Sequence, residues 1–268
     1  MRKRLKQLGI LWRAHTTPIR PPRVIVLGCQ KSGTSAIAAL LGRATGLDAQ
    51  IDFSRDFARP RFPEVLAGRM TLDAYLRRNA YDMRAPIVKE PSLTLLYEPL
   101  KRRFPQTPFV FVMRHPLDNI RSIFDRIGLP GTVTGGSVDS IESSAWRFVM
   151  SGADLKDPPG DLVSIAAMRW VKYNEVYDNQ REAFQLVRYE DFMQDKQRVI
   201  ESLADRLGLD IAADIASLVD VNYQRSGKRV ADYGAYFGPV NYGRSREIVL
   251  PLAGRLRYDI PANHSSQP

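Results

Sequence analysis

The sequence predicts an α/β protein, a P-loop-like three-layer fold with a central parallel sheet flanked by helices, and three observations predict it. Short apolar runs at residues 24–27 and 109–113 read as buried strands. Segments with apolar residues at helical spacing separate the strand patterns, and such alternation implies a parallel sheet with helices on both faces. The first strand also runs straight into a glycine-bounded turn, Gly28-Cys29-Gln30-Lys31-Ser32-Gly33-Thr34-Ser35, with an apolar helix behind it. Backbone N–H groups converge at such a turn, and the helix dipole adds partial positive charge, so the layout makes an anion site.

The elements follow in order. Val24-Ile25-Val26-Leu27 is the first strand, and Ala36-Ile37-Ala38-Ala39-Leu40-Leu41 reads as the helix after the turn. Ile87-Val88-Lys89 is a short strand that Glu90-Pro91 ends. Phe109-Val110-Phe111-Val112-Met113 is the next strand, and Pro116 suits the start of a helix that carries Ser122. Residues 161–181 form a long helix bearing Leu162, Ile165, Met168, Val171 and Val176, together with Trp170 and Tyr173. Residues 183–188 are a further strand, and 197–209 a helix with Val199, Ile200, Leu203 and Leu207 on one face. Three segments are expected to be irregular: 52–69, rich in Phe, Arg and Pro; 128–140, rich in Gly, Thr and Ser; and 222–246, loaded with Tyr, Gly and Arg. Ligands of such sheets bind at the carboxyl ends of strands. Lys31, Glu90, Arg114 and Tyr189 each fall just after a strand, which puts them at the edge of one shared site.

The turn departs from the nucleotide-binding pattern G-x-x-x-x-G-K-[ST]. Gly28 and Gly33 have its spacing, but Thr34 stands where that pattern has Lys, and the loop cation is Lys31. A triphosphate–Mg²⁺ site uses the displaced Lys on the phosphates and a carboxylate near the end of a neighbouring strand. Here the 109–113 strand ends in Arg114, a permanent cation whose planar fork suits phosphate oxygens. A surface ion pair is the plainer role for an arginine there, and close packing the plainer role for the glycines. Cys29 inside the loop reads as a small apolar filler.

These residues resemble the sulfotransferases that use 3′-phosphoadenosine 5′-phosphosulfate (PAPS), carbohydrate and bacterial types among them. That family's P-[KR]-[ST]-G-[ST]-[ST]-like loop is matched by Gln30-Lys31-Ser32-Gly33-Thr34-Ser35, with Gln in place of the usual Pro or Arg. Its R-[NHD]-P-x-D-x-x-x-S run is matched by Arg114, His115, Pro116, Asp118 and Ser122. Its [VL]-x-Y-E-[DE]-[LM] segment is similar to Val187-Arg188-Tyr189-Glu190-Asp191-Phe192. The matches run in family order from residue 24 to about residue 210. The resemblance implies that the loop, Gln30 to Ser35, holds the 5′-phosphosulfate and that Arg114 and Ser122 hold the 3′-phosphate. It implies that Tyr189 lies near the adenine or closes the cofactor pocket. It also suggests Lys228 or Arg229 as further phosphate contacts, on a segment without a clean motif.

The implied chemistry moves a sulfuryl group from the 5′-phosphate to an acceptor hydroxyl on a glycan or glycolipid, with adenosine 3′,5′-bisphosphate (PAP) as product and no metal required. Lys31 then neutralises the bridging oxygen of the leaving phosphate, an electrostatic stabilisation. The acceptor needs a base, which in this family is a histidine or a carboxylate. The histidines are His15 in the arm, His264 in the tail and His115, already engaged beside Arg114. In carbohydrate and protein-tyrosine members a Glu often follows the loop cation at about the distance of Asp52 from Lys31. Asp52 is one methylene shorter than that Glu; Glu90 and Asp56 compete with it.

Composition agrees with this frame. The chain has 268 residues, of which 44% are hydrophobic, enough for one domain with a good core. It divides into a basic N-terminal arm at 1–22, a single domain at 23–260 and a polar C-terminal tail at 261–268. One cysteine rules out an internal disulfide framework and points to a reducing, cytoplasmic setting. No apolar run is long enough for a transmembrane helix, and residues 8–12 are too short for a signal core. The formal charge is +10, yet residues 1–47 hold nine of the 39 basic residues and none of the 29 acidic ones. The nearly neutral remainder argues against a nucleic-acid binder. In the arm, Leu5, Leu8, Leu11 and Trp12 fall at helical spacing among basic residues, which suits either peripheral contact with an anionic membrane or a short helix packed on the domain. Two other function classes stay open: a P-loop small-molecule kinase using ATP–Mg²⁺, and a non-catalytic basic membrane-surface adaptor.

Overall fold

Five parallel strands build the centre of the molecule: β1 (Val24–Gly28), β2 (Ala49–Ile51), β3 (Ile87–Lys89), β4 (Phe109–Met113) and β5 (Phe184–Arg188), in the order β2-β3-β1-β4-β5. All four pairings are parallel, with Val26 opposite both Lys89 and Val110. The structure, a computed structural model, describes residues 19–218 and 232–262. The N-terminal 18 residues of the arm and the last six of the tail lie outside the described residues.

Eleven helices are described in chain order: α1 (Thr34–Thr45), α2 (Ser54–Ala58), α3 (Phe62–Leu66), α4 (Leu72–Arg78), α5 (Tyr97–Arg103), α6 (Pro116–Ile127), α7 (Ser144–Met150), α8 (Leu162–Asp178), α9 (Tyr189–Gln194), α10 (Lys196–Arg206) and α11 (Tyr233–Arg255). Side chains alternate across a strand, so each strand feeds two cores. Val24 and Val26 of β1 pack with Ile37, Leu40 and Leu41 of α1 and with Ile200 and Leu203 of α10. Ile25 and Leu27 face the larger core with Ile120 and Phe124 of α6, Trp170 of α8 and Leu252 of α11. The predicted sheet, its parallel sense and its helical layers on both faces are all present.

Three expectations need correction. Residues 52–69 are not irregular: they hold α2 and α3, helices of five residues each, too short to show a helical period in the sequence. The part of 222–246 that the structure describes is helical, because Tyr233 begins α11. Its Gly238 has φ 70° and ψ 164°, so the helix breaks there, and Pro239 restarts it. Finally, the three-residue edge strand β2 lies beyond the predicted elements. Among the described residues, no helix is long and apolar enough to cross a membrane.

Candidate active site

Every strand ends at one edge of the sheet, and the residues just beyond the strands meet there. After β1 the chain turns through Cys29, Gln30, Lys31 and Ser32 to Gly33, which caps α1. No side chain caps α1 and no acidic residue lies in its first turn, so its N-terminal N–H groups and dipole face the loop. Gly33 has φ 95°, and a Cβ added there would stand 2.2 Å from the Tyr189 ring. Gly28 is as constrained, since a Cβ would stand 2.4 Å from the Val112 carbonyl oxygen. Ser32, Thr34 and Ser35 are buried.

Lys31 is itself in the left-handed region, with φ 66°. Among the described residues, only Lys31, Asp52 and Arg257 have positive φ without being glycine. Strain of this kind costs about 1–3 kcal/mol and collects at functional sites. Burial pushes the Lys31 ammonium down to about 8, and the nearby cations Arg114, Arg126 and Lys89 push the same way.

Arg114 follows β4 and turns back over the loop. Its Nη1 donates to the Lys31 carbonyl at 2.9 Å, and its guanidinium lies 4.5 Å from the centre of the Tyr189 ring. Tyr189, first residue of α9, is therefore layered between Gly33 and Arg114. Asn119 on α6 donates to the Gln30 carbonyl at 2.8 Å and to Ser32 Oγ at 3.0 Å. Ser122 is buried on α6, three residues beyond Asn119. The His115 N–H donates to Glu190 Oε1 at 2.7 Å, and its ring Nε2 lies 3.0 Å from the Asp259 carbonyl oxygen. Lys228 and Arg229, like His15 and His264, lie outside the described residues.

The carboxylates part company. Asp52 follows β2 with φ 59°, and its Oδ1 takes the Lys89 ammonium at 2.5 Å while its side chain stays 36% exposed. Glu90 is buried and occupied: Oε2 accepts the Phe53 N–H at 2.8 Å and Oε1 the Ser92 N–H at 2.9 Å. Burial, and then the charge of Asp52, push the Glu90 carboxyl up. Asp56 is buried, accepts the Tyr75 hydroxyl, and faces Arg78 at 3.7 Å. Cys29 is fully buried, and burial pushes its thiol up to about 12, in line with a filler.

The sequence left out Lys89 and Asn119 as site residues. Lys89 was visible as a strand-end cation, and Asn119 lies inside the Arg114–Ser122 run. What each does depends on β3 and α6 flanking the loop. The donor set of helix N-terminus, Lys31 and Arg114, all at one sheet edge, fits a phosphate-bearing nucleotide.

No family model matches the sequence, and no curated protein matches it as a relative. Solved structures do match in shape. Sulfotransferase STF9 from Mycobacterium avium aligns over 96% of this chain and 82% of its own, with TM-score 0.53 and 14% identity. A sulfotransferase from Alicyclobacillus acidocaldarius aligns over 87% of this chain and 97% of its own, with TM-score 0.45 and 18% identity. Mouse sulfotransferase SULT7A1 complexed with PAP aligns over 93% and 89%, with TM-score 0.49 and 14% identity. At such identities the likeness is one of fold: the chain has the α/β fold of sulfotransferase STF9.

Proposed function

We propose that this protein is a PAPS-dependent sulfotransferase that moves a sulfuryl group to an acceptor hydroxyl, on a glycan or glycolipid. One observation carries the reading: the cation of the phosphate loop, Lys31, is locked by Arg114, which occupies the strand end where a nucleotide kinase keeps a metal-binding carboxylate. The sulfotransferase fold of the chain agrees with it. When bound, PAPS supplies the activated sulfuryl group and a phosphate leaving group.

The residues then have distinct tasks. The N–H groups at the start of α1 and the hydroxyls of Ser32, Thr34 and Ser35 hold the 5′-phosphate end. Lys31 meets the negative charge that grows on the leaving oxygen, in a half-buried site where such an interaction is strong. Arg114, with Ser122, takes the 3′-phosphate. Tyr189 keeps Arg114 in place and closes the pocket on that side, and Lys228 or Arg229 adds a phosphate contact.

Asp52 is the base. It is the one candidate carboxylate with substantial exposure, so an acceptor hydroxyl reaches it from solvent. Lys89 aims it. Glu90 does not take part as a base, because its two oxygens hold backbone N–H groups; by fixing Phe53 it fixes the turn that presents Asp52. We place the protein in the cytoplasm, with peripheral membrane contact through residues 1–18.

A thermal-shift comparison tests the cofactor. PAP without Mg²⁺ should raise the melting temperature, by about 2.7 kcal/mol of stability at a hundredfold excess over Kd, and ATP–Mg²⁺ should do much less. Stabilisation by ATP–Mg²⁺ alone would establish the kinase reading instead. Transfer of labelled sulfuryl from PAPS to a panel of glycans and glycolipids then reads out the acceptor.

A further inference from the structure

Beneath the loop lies a buried ionic cluster that takes no part in the chemistry above. Arg169 of α8 and Asp154 form an ion pair with both side chains at 0% exposure. Ion pairs sealed this way seldom add stability over a well-packed apolar pair, so their presence asks for another reason. The geometry supplies one. The guanidinium spends Nη1 on Asp154 and uses Nη2 to donate to Gln30 Oε1 at 3.0 Å. Tyr173, one turn further along α8, takes a second bond from Nη2 at 3.2 Å, donates to Asp154 Oδ2 at 3.3 Å, and accepts from Gln30 Nε2 at 3.4 Å. Lys172 also donates to the Asp154 carbonyl. Both ends of the Gln30 side-chain amide are thus held from below, while Asn119 holds the Gln30 backbone carbonyl from the side. The next residue is Lys31, with its left-handed backbone.

We propose that Arg169, oriented by Asp154 and Tyr173, is a positioning residue: through Gln30 it fixes the phosphate loop and so the placement of Lys31. The proposal rests on the sulfotransferase reading of the loop as the 5′-phosphate site. It accounts for glutamine at a position where the resembling family has Pro or Arg: an amide presents one acceptor to Arg169 and one donor to Tyr173, which proline cannot do. The fork geometry of arginine is essential, because one planar group must serve Asp154 and Gln30 together.

Two variants test this. Arg169→Lys keeps a charge against Asp154 but cannot serve both partners. Asp154→Leu with Arg169→Met removes the pair without leaving a lone buried charge. Folding of each is checked by circular dichroism and melting. The affinity of PAP, which has a 5′-phosphate, is compared with that of adenosine 3′-monophosphate, which lacks one. The expected result is a loss of about ten- to a hundredfold for PAP, the range seen when groups that orient metal ligands are removed, with adenosine 3′-monophosphate held within about twofold. Hydrogen exchange of the ligand-free protein should quicken at Gln30–Gly33 and not in β1. A folded variant with unchanged loop exchange, or with equal losses for both nucleotides, overturns the proposal and leaves the cluster a packing feature. If the wild-type protein shows no preference for PAP, the cofactor reading fails, and the exchange data still decide whether Arg169 holds the loop.

Discussion

Lys31 and Asp52 both sit at positive φ, which makes their substitution clean where the new residue tolerates that backbone. Lys31 has an ordinary value of 10.5 and is pushed down to about 8. Between those values the folded chain binds fewer protons than the unfolded one, so the stability of the ligand-free protein should rise as pH climbs from 8 to 10.5. PAP affinity should move the opposite way and weaken above pH 8, because the cation it needs is lost. Lys31→Met should flatten both curves, measured by denaturant titration and by calorimetry. Asn accepts left-handed backbone readily, so Asp52→Asn removes the charge with little strain. It should lower kcat about 10²–10⁴-fold and leave the Kd of PAP within about twofold. Near-normal turnover would remove Asp52 as the base. Arg114→Ala should cost roughly 1.5–3 kcal/mol of PAP binding, about ten- to a hundredfold. Adenosine 5′-phosphosulfate, which has no 3′-phosphate, should lose less, and only because the Lys31 carbonyl loses its donor. At this scale the loop and its cations could be located in the sequence, since the glycine spacing marks Gly28 and Gly33, Lys31 lies between them, and Arg114 ends the apolar run of β4. Lys89 was not, because an ammonium at a strand end acquires meaning only when β2 brings Asp52 beside it.

Elements were legible in proportion to their burial. β1 and β4 are buried along their whole length, so their runs carry no polar interruption and announce themselves. β2 is half-buried at the sheet edge and only three residues long, so nothing in its composition sets it apart. The first seven residues of α11 are stranger still, with Tyr, Gly and Pro where a helix wants better formers. Tertiary contacts overrule that weak preference. The Tyr236 hydroxyl donates to Asp125 Oδ1 at 3.0 Å, and Asn241 Nδ2 donates to the Gly131 and Val133 carbonyls at 2.7 and 2.8 Å. The 128–140 loop is thereby sealed against α11, so closely that a Cβ at Gly131 would meet the Tyr236 ring at 2.4 Å and its carbonyl oxygen at 2.6 Å. Backbone cannot swing away as a side chain can. Gly131→Ala should therefore destabilise the fold by about 1–3 kcal/mol, as overpacking does. Calorimetry should show a lower melting temperature, and an unchanged one would mean that α11 and the loop are not in fixed contact.

Across the whole molecule, parallel pairing is what turns scattered residues into one site. With every strand running the same way, loops far apart in sequence, such as those of Lys31 and Arg114, 83 residues apart, are forced to a common edge. Charge is distributed to match, with nine of the 39 basic residues and none of the 29 acidic residues in the first 47. Two of those nine, Lys31 and Arg43, belong to the loop and α1; five, Arg2, Lys3, Arg4, Lys6 and Arg13, fall within residues 1–18 together with Leu5, Leu8, Leu11 and Trp12. A polybasic, apolar-spaced segment attracts an anionic surface by about 1 kcal/mol per Lys or Arg near it, and salt screens the attraction. Deleting residues 1–18 takes away this segment and leaves untouched every strand and every loop contact described above. Binding to vesicles containing phosphatidylserine should drop sharply, by sedimentation at low salt, while PAP still raises the melting temperature by the same amount. Should the shortened chain bind such vesicles as well as the full chain does, the attraction would have to come from the anion loop and its edge of the sheet. PAP would then compete with the vesicles, and adding it to the sedimentation assay separates the two cases.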